Sequence, residues 1–456
     1  MKNLLYIFAD QWRYHAIGYA REDNVKTPEM DDFASSSLFC TGAVSTYPLC
    51  SPHRAALLTG KHPLNAGFYT NCKIGIRDRI TLSPNEITIS DILYEKGYQN
   101  AYIGKYHLDE SEMNYSPSPL SGASNWDAYT PPGERRHHNE FWYSYGAWDN
   151  HLAPHYWTDS GKMIKRQGWS PEIETDVLLS FLEKRDMSRP FSVFLSWNPP
   201  HPPYDKVPEK YFSMISEEDE IFRNNVPEEW RKDETFRKKR REYYAAVMGL
   251  DHEFGRIIRY LKDNGLYDDT IIVLSSDHGD CMGSHGLYGK NIWYDESVRI
   301  PLVIHDGIHS GDYDGIIMSE DQMPTLLSLL GFDSPSTVEG LSHSDAFDDR
   351  SIEVREYSEH CMLPGLPELV EPFSRLGLDN KAYGWRAVRT KKETYVVNNF
   401  TEPGKKRERY YYDNVNDPYQ MRPEIVDAAS DTARHFDEIL RKEFEKTKDN
   451  FLLERQ

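Results

Sequence analysis

The chain has 456 residues, a hydrophobic share of 39% and a formal net charge of −20 at pH 7. This length favours two or three domains, or one large domain with an appendage, and the negative charge disfavours a nucleic-acid partner or an anionic membrane surface. The apolar runs are too short for a transmembrane helix, and the five scattered cysteines argue against a disulfide framework and against a cysteine-ligated zinc site.

Strand and helix patterns alternate along the first two thirds of the chain. NLLYIFAD, near the N-terminus, is a continuous apolar run that predicts a strand buried on both faces. ITISDILYEKGY predicts a helix that ends near Gly97, and apolar residues at helical spacing predict a long helix over 241–264. NAYIGKYHL, PFSVFLSWNPP, TIIVLSSDHGD and VRIPLVIH predict further strands. This order indicates an α/β fold with a mostly parallel central sheet flanked by helices.

We divide the chain into a catalytic α/β domain, residues 1–350, and a smaller C-terminal α+β subdomain, residues 351–456. In the subdomain, AVRTKKETYVVNNF and ERYYYDN predict an antiparallel sheet, and the tail from Pro423 predicts a terminal helix. Residues 106–170 form a Pro-, Gly-, His- and aromatic-rich stretch. Its length inside a compact domain favours an irregular insertion that shapes a pocket.

Polar residues with chemical potential follow several of the predicted strands. Because the carboxyl ends of parallel strands meet at one edge of a sheet, where ligands bind in such folds, we expect these residues to converge. A single Asp or His after a strand is more often a turn former or helix cap, so the prediction depends on their co-occurrence. The residues are Asp10, Gln11, Lys105, His107, His201, Asp277, His278 and Lys290.

The residue types predict a metal beside a cluster of cations. Asp10 and Asp277 offer hard oxygen ligands, Gln11 a neutral carbonyl and His278 a nitrogen, which suits a divalent cation. Cys50 lies just before a predicted helix start, where backbone N–H groups and the helix dipole favour an anion, so it is placed as a nucleophile. Together these groups suit transfer of a sulfuryl or phosphoryl group. Positive charge for an oxyanion comes from Arg54, Lys105, His107, His201 and Lys290.

CSPHRAALLTG resembles the Cys-x-Pro-x-Arg signature of type I sulfatases in the alkaline phosphatase superfamily. FADQWR, IGKYHLD, NPPHPPY, LSSDHGDCMGSHGLYGK and WYDESVRIPLVI are similar to further blocks of that family, in its order, from about residue 3 to 305. The resemblance implies that Cys50 is oxidised by a maturase to Cα-formylglycine, whose hydrate attacks the sulfate ester. It implies a sulfuric ester hydrolase acting on a small sulfated carbohydrate.

Further roles are implied by the same resemblance. Arg54 would steady the aldehyde hydrate, Lys105 would bind sulfate, and His107 would take the proton that drives release of sulfate. His201 and Lys290 would bind sulfate and protonate the leaving oxygen. The metal ligands would be Asp10, Gln11, Cys50 as formylglycine, Asp277 and His278.

The identity of the metal is less defined by the sequence. Calcium is the family's expectation, but many relatives have a second Asp where this chain has Gln11, and some have Asn where it has His278. Because calcium prefers oxygen-rich shells, these differences leave manganese or magnesium possible.

The insertion and the C-terminal subdomain supply the candidates for sugar recognition. The insertion's tryptophans and tyrosines either stack on sugar rings or pack the insertion onto the domain. Similar insertions in bacterial carbohydrate sulfatases favour an exo-acting enzyme on a small sulfated sugar. The candidate substrate-binding residues are His137, His138, His151, Trp385 and Arg386.

Location and alternative functions complete the sequence-based expectations. MKNLLYIFADQW lacks the apolar core and cleavage site of a secretory signal, so we expect a cytoplasmic protein, or a periplasmic or secreted one if a leader was removed. A phosphonate monoester or phosphodiester hydrolase of the same superfamily is the main alternative. A cysteine hydrolase with an unmodified thiolate and an inactive binding protein are the others.

Overall fold

A large central sheet and a smaller C-terminal sheet organise the protein. The computed structural model describes residues 1–72, 80–111, 116–216 and 220–453. The order of the large sheet is β10-β2-β9-β8-β1-β7-β3-β4. Its strands are β1 Asn3–Asp10, β2 Leu38–Cys40, β3 Gln99–Lys105, β4 Phe141–Tyr145, β7 Phe191–Pro200, β8 Thr270–Ser276, β9 Leu302–His305 and β10 Gly311–Tyr313.

Strand β1 occupies the middle of this sheet and is buried on both faces. It pairs in parallel with β7 on one side and with β8 on the other, and among the described strands of this sheet only β9 runs antiparallel to its neighbours. Alternation of side chains sends Tyr6 and Phe8 to one face and Leu5 and Ile7 to the other, so the strand contributes to two separate cores. The prediction of a mostly parallel sheet between helices is confirmed.

Helices cover both faces of the large sheet. The longest helix has Val247, Phe254 and Ile257 buried against the face that Leu5 and Ile7 present, whereas the helix that begins at Cys50 packs on the opposite face. The helices are α1 Pro28–Ser35, α2 Cys50–Thr59, α3 Ile89–Glu95, α4 Ser170–Lys184, α5 Glu209–Phe212, α6 Glu228–Arg231, α7 Glu234–Asp263, α8 Asp295–Val298, α9 Gln322–Leu329, α10 Ser344–Asp348, α11 Pro367–Arg375 and α12 Asp431–Thr447.

The C-terminal part forms the predicted antiparallel sheet, with α12 packed on it. Val388, Tyr395 and Val397 from the sheet and Phe436 and Leu440 from α12 form a core of their own. The strands are β11 Ser358–Met362, β12 Gly384–Arg389, β13 Glu393–Phe400, β14 Glu408–Asp413 and β15 Glu424–Ile425, in that spatial order.

Three boundaries differ from the sequence-based predictions. The insertion, of which residues 112–115 lie outside the described residues, is not wholly irregular: β4 pairs in parallel with β3 at the edge of the large sheet, and β5 His155–Tyr156 pairs with β6 Ile164–Lys165. The long helix starts seven residues before 241, because Asp233 caps its first turn by accepting the N–H of Phe236. The terminal helix begins at Asp431, capped by Ser430.

Among the described helices, none has the length and apolarity to cross a bilayer.

Candidate active site

The carboxyl ends of four neighbouring strands meet where the sequence predicted. Asp10 and Lys105 are the last residues of β1 and β3, and His201 and Asp277 follow β7 and β8 directly. Since β8, β1, β7 and β3 are adjacent and parallel, their ends bring these side chains to one edge of the sheet. The parallel pairing of these strands thus brings together side chains that lie far apart in the sequence.

Cys50 opens helix α2 at the centre of this edge and is 1% exposed. Its Sγ lies 3.0 Å from Nζ of Lys290, 3.4 Å from Nε2 of His278 and 3.5 Å from Oδ1 of Asp10. Burial and Asp10 oppose ionisation of the thiol, but Lys105, Lys290 and His107 outweigh them and hold the pKa of Cys50 well below its ordinary value. Position 50 is therefore built to carry a nucleophile or an anion.

Arg54 lies one turn further along α2 and joins the helix to the sheet edge. Its guanidinium donates to Oδ2 of Asp10 at 3.1 Å, to Oδ2 of Asp277 at 3.2 Å, and to the backbone carbonyl of Lys105 and the hydroxyl of Ser196 at 2.7 Å. Arg54 is buried and its pKa is raised, because the two carboxylates outweigh the cost of burial. It serves as a fixed cation that holds both acids in place.

The pKa values of Asp10 and Asp277 are shifted in opposite directions. Burial opposes ionisation of Asp10, but Lys105 and Lys290 hold its pKa well below the ordinary value. Burial and the charge of Asp10 raise the pKa of Asp277 instead. A divalent cation bound by the two carboxylates would offset the repulsion between their negative charges.

The donor set fits a divalent cation. Ligand atoms of Asp10, Cys50, Asp277 and His278 all lie within 4.8 Å of one another, and all four residues are buried. Nδ1 of His278 lies 3.1 Å from the carbonyl of Gly279, which directs a proton to Nδ1 and leaves Nε2 to face the acids. Carboxylate oxygens and one imidazole nitrogen suit manganese and magnesium as well as calcium.

Gln11, which follows Asp10 directly, carries a side-chain oxygen that no described group satisfies. Its Nε2 donates to Oδ2 of Asp280 at 2.5 Å, which fixes the orientation of the amide, while the buried Oε1 has no hydrogen-bond partner in the described chain. Its backbone φ of 66° is left-handed, and that of His107 is 50°. Non-glycine residues in this region concentrate at functional sites, since the surrounding structure must hold them there.

Lys105 and His107 line the pocket from the end of β3. Nζ of Lys105 lies 2.7 Å from Oδ2 of Asp10 and donates to Oδ1 of Asn198 at 3.0 Å. Both ring nitrogens of His107 are buried without a hydrogen-bond partner in the described chain. Burial lowers the pKa of His107 to about 4, so the imidazole is neutral near pH 7. It can accept a proton from a group at position 50.

His201 sits at the mouth of the pocket with two partners from the insertion. The ring of His151 lies 2.8 Å from the carbonyl of His201, and Nδ1 of His201 lies 2.8 Å from the carbonyl of Pro202. Oδ1 of Asp149 lies 3.4 Å from the same Nδ1. His201 is 17% exposed at its side chain, which leaves it accessible to a substrate oxygen.

Three of the predicted substrate-binding residues are held by partners away from the catalytic centre, and a fourth, Trp385, lies buried beside the residue that follows Lys290. His137 and His138 both contact the carboxylate of Asp91 in α3, so they fasten the insertion to that helix. Arg386 is fully buried, in an ion pair with Asp449. Trp385 is also buried; its indole donates to the carbonyl of Asn291. Of the five candidates, His151 contacts a residue of the catalytic centre, as a support for His201, and Trp385 contacts the residue next to Lys290.

Most aromatic side chains of the insertion pack inside it. Trp142 lies between Tyr102 and Tyr106, and Trp157 is fully buried. The packing interpretation therefore accounts for most of them. One hydrophobic cluster contains, or is packed against by, five of these side chains: Tyr143, Tyr145, Trp148, Tyr156 and Trp157.

Sequence reasoning missed four polar residues of the site. Ser196 and Asn198 lie near the carboxyl end of β7, and Asp280 lies three residues after Asp277, so position at the sheet edge could have found them. Asp149 gave no such indication, because it reaches the site from the insertion through tertiary packing.

The comparisons with known proteins bear on the family and the fold of this chain. An endo-4-O-sulfatase of Bacteroides thetaiotaomicron is 34% identical over 450 residues, covering 92% of this chain and 87% of the relative. A solved structure from work on the metabolism of multiple glycosaminoglycans by Bacteroides thetaiotaomicron superposes with a TM-score of 0.86 at 31% identity, covering 98% of this chain and 97% of that one. A phosphonate monoester hydrolase of Agrobacterium radiobacter shares the fold, with a TM-score of 0.73 at 21% identity over 98% and 96% of the two chains. Residues 2–332 match the Sulfatase family model, and the chain belongs to the sulfatase family of sulfate ester hydrolases.

Proposed function

We propose that this sulfatase removes sulfate from a small sulfated carbohydrate after Cys50 has been oxidised to formylglycine by a maturase. The observation that carries the proposal is the convergence of Lys105, Lys290 and three metal-ligand candidates, Asp10, Asp277 and His278, around a buried residue 50. The similarity to an endo-4-O-sulfatase and the glycosaminoglycan context of the solved structure support a sugar substrate.

A divalent cation would be held by Asp10, Gln11, Asp277 and His278 together with the modified residue 50. Calcium is our first choice from the family, with manganese and magnesium as alternatives because of the imidazole and the single amide oxygen. When bound, such an ion would polarise the sulfate and offset its charge. The low pKa of Asp10 keeps one ligand ionised without it.

The side chains support a two-stage reaction at residue 50. One hydroxyl of the hydrated aldehyde gives its proton to a neighbouring carboxylate and attacks sulfur, and the alcohol oxygen leaves; His201 and Lys290 would stabilise and protonate that oxygen. The second hydroxyl then gives its proton to neutral His107, the bond between the carbon and the sulfated oxygen breaks, and sulfate and the aldehyde are released. Addition of water restores the hydrate, so one water is consumed for each ester cleaved.

Lys105 has a separate task in both stages. Its ammonium bridges Oδ2 of Asp10 and Oδ1 of Asn198 inside the buried pocket, where a cation acts on an anion through a low dielectric. It would therefore hold the sulfate oxygens against the attacking group and stabilise the charge that moves onto them.

The test combines mass spectrometry with a substrate panel. Protein coexpressed with a formylglycine-generating maturase should show residue 50 as the aldehyde and should desulfate at least one member of a panel of monosulfated hexoses and N-acetylhexosamines. Cys50→Ala should abolish turnover. Cys40→Ser, at a buried cysteine in β2 outside the site, is the matched control and should remain active.

Comparison of two ester classes separates the alternatives. Faster turnover of phenyl phosphonate esters than of aryl sulfates would favour the phosphonate monoester or phosphodiester hydrolase. Full activity with an unmodified Cys50 would favour a thiolate hydrolase. An aldehyde at residue 50 without turnover of any sulfated sugar would overturn the carbohydrate assignment.

A further inference from the structure

Asp149 brings a carboxylate from the insertion to the exposed side of the catalytic site, beside His201. Asn198 at the end of β7 donates to the backbone carbonyl of Trp148 at 2.8 Å and to Oδ1 of Asp149 at 3.3 Å. The same Asn198 accepts a hydrogen bond from Lys105 through its Oδ1. One amide thus ties the loop that carries Asp149 to the sulfate-binding cation, which gives Asp149 a defined place beside the reacting group.

The two oxygens of Asp149 have different surroundings. Oδ1 lies 3.4 Å from Nδ1 of His201, while Oδ2 accepts no hydrogen bond from the described part of the chain. The side chain is half exposed, so Oδ2 is open to a ligand in the pocket mouth. Although its surroundings oppose ionisation by burial, His201 and Lys105 lower the pKa of Asp149, and the group is an anion near neutral pH.

An ionised carboxylate is an acceptor only, which limits what can lie against it. It can bind a sugar hydroxyl or another donor, whereas a second sulfate or an uronic carboxylate at the same place would be repelled. His201 is also the group placed to protonate the leaving oxygen, so the substrate atoms nearest to Asp149 belong to the carbons beside the sulfated one.

We propose that Asp149 is a specificity-determining residue that accepts a hydrogen bond from a hydroxyl next to the scissile sulfate and rejects substrates sulfated at that neighbouring position. The inference rests on the proposed function, since it needs a sulfated sugar as substrate. Contact of Asp149 with His201 predicts an additional positioning role, which the choice of substrates below separates from hydroxyl recognition.

The experiment compares kcat/KM for four probes in matured, metal-loaded enzyme. N-acetylgalactosamine 4-sulfate has a free hydroxyl on the adjacent carbon C3, and the 3,4-disulfate carries a second sulfate at that position. Cyclohexyl sulfate has a ring and an alkyl leaving group but no hydroxyl, and 4-nitrophenyl sulfate needs no leaving-group protonation. Should the 4-sulfate prove inactive, the sugar found in the panel above and its disulfated neighbour replace the first two probes.

Asp149→Ala should lower kcat/KM for the monosulfated sugar about 10- to 100-fold, the range for a hydrogen bond to a charged group. The loss for cyclohexyl sulfate should be smaller by at least about tenfold, since only the positioning of His201 is affected. Asp149→Asn keeps an acceptor oxygen and removes the charge. Its kcat/KM for the monosulfated sugar should exceed that of Asp149→Ala, and the ratio of kcat/KM between the monosulfated and the disulfated sugar should be smaller than in the unsubstituted enzyme.

Asp159→Asn is the matched control, because Asp159 is an exposed acid of the same insertion that pairs with Arg136. It should leave all four values unchanged, and thermal melting should verify folding of each variant. Equal losses on the sugar sulfate and cyclohexyl sulfate, or no loss on the sugar, would overturn the inference. Turnover of 4-nitrophenyl sulfate without turnover of any sulfated sugar would instead overturn the carbohydrate assignment, and this inference with it.

Discussion

The ammonium of Lys105 lies 2.7 Å from Oδ2 of Asp10, and neither side chain is more than 1% exposed. Arg54 contacts the same Oδ2 of Asp10. The other oxygen, Oδ1, faces Cys50 and His278. One carboxylate is therefore shared between the cations of the pocket and the metal-ligand candidates.

Breaking this pair should destabilise the metal-free protein. Lys105→Met leaves the buried Asp10 without its nearest cation, and removal of one partner of a buried pair costs about 3–5 kcal/mol. Because Arg54 and Lys290 remain, we expect the lower end, about 3 kcal/mol, in urea unfolding with chelator present. Lys206→Met breaks the exposed pair with Asp205 and should cost about 0–1 kcal/mol. Equal losses in the two variants would contradict the prediction.

The loss of kcat on substitution of His201 should be larger for substrates whose leaving oxygen requires protonation. General acid catalysis is worth about 10²–10⁴-fold, so His201→Gln should lower kcat for alkyl sulfates by that factor. For 4-nitrophenyl sulfate, whose leaving oxygen is stable as an anion, the loss should be about tenfold or less. His252→Gln, at an exposed histidine on α7 whose ring contacts that of Tyr211, is the control. A loss for aryl sulfates as large as that for alkyl sulfates would refute the assignment of His201 as the acid.

The amide of Gln11 should be needed for metal affinity. Because Asp280 fixes the amide by accepting from Nε2, both Gln11→Ala and Asp280→Asn should weaken metal binding, and loss of an outer-shell partner typically costs about 10–100-fold. Calorimetric titration with calcium and with manganese measures the change. Tyr204→Phe removes the other hydrogen bond to Oδ2 of Asp280 without touching Gln11, and it should retain most of the affinity. Unchanged binding in Gln11→Ala would exclude its Oε1 as a ligand.

Asp251 should make stability fall as pH rises toward neutrality. Its Oδ1 accepts the N–H of Met30, capping α1 from α7, and burial raises its pKa to about 7. Since the unfolded value is about 3.9, its contribution is fully present below about pH 4 and is lost as pH rises through about 7, by up to about 4 kcal/mol. Asp251→Asn keeps the acceptor and removes the charge.

The free energy of unfolding, measured by urea titration from pH 4.5 to 8, is the readout for this substitution. The advantage of Asp251→Asn over the unsubstituted protein should increase across that interval and then level off. Asp263→Asn, at the exposed end of the same helix, should show no such increase. A constant difference across the interval would show that Asp251 does not titrate there.

The sequence by itself determined the strands, their carboxyl ends and the chemistry placed on them. Parallel strands have one common edge, so Asp10, Lys105, His201 and Asp277 had to meet once β1, β3, β7 and β8 were recognised, and the motif around Cys50 predicted the nucleophile. The tertiary structure alone decided which insertion residues reach the site. Asp149 is held there by Asn198, whereas His137 and His138 turn to Asp91 and Arg386 is buried against Asp449. Loop and subdomain side chains take their positions from partners distant in sequence, and no periodicity in the chain records those contacts.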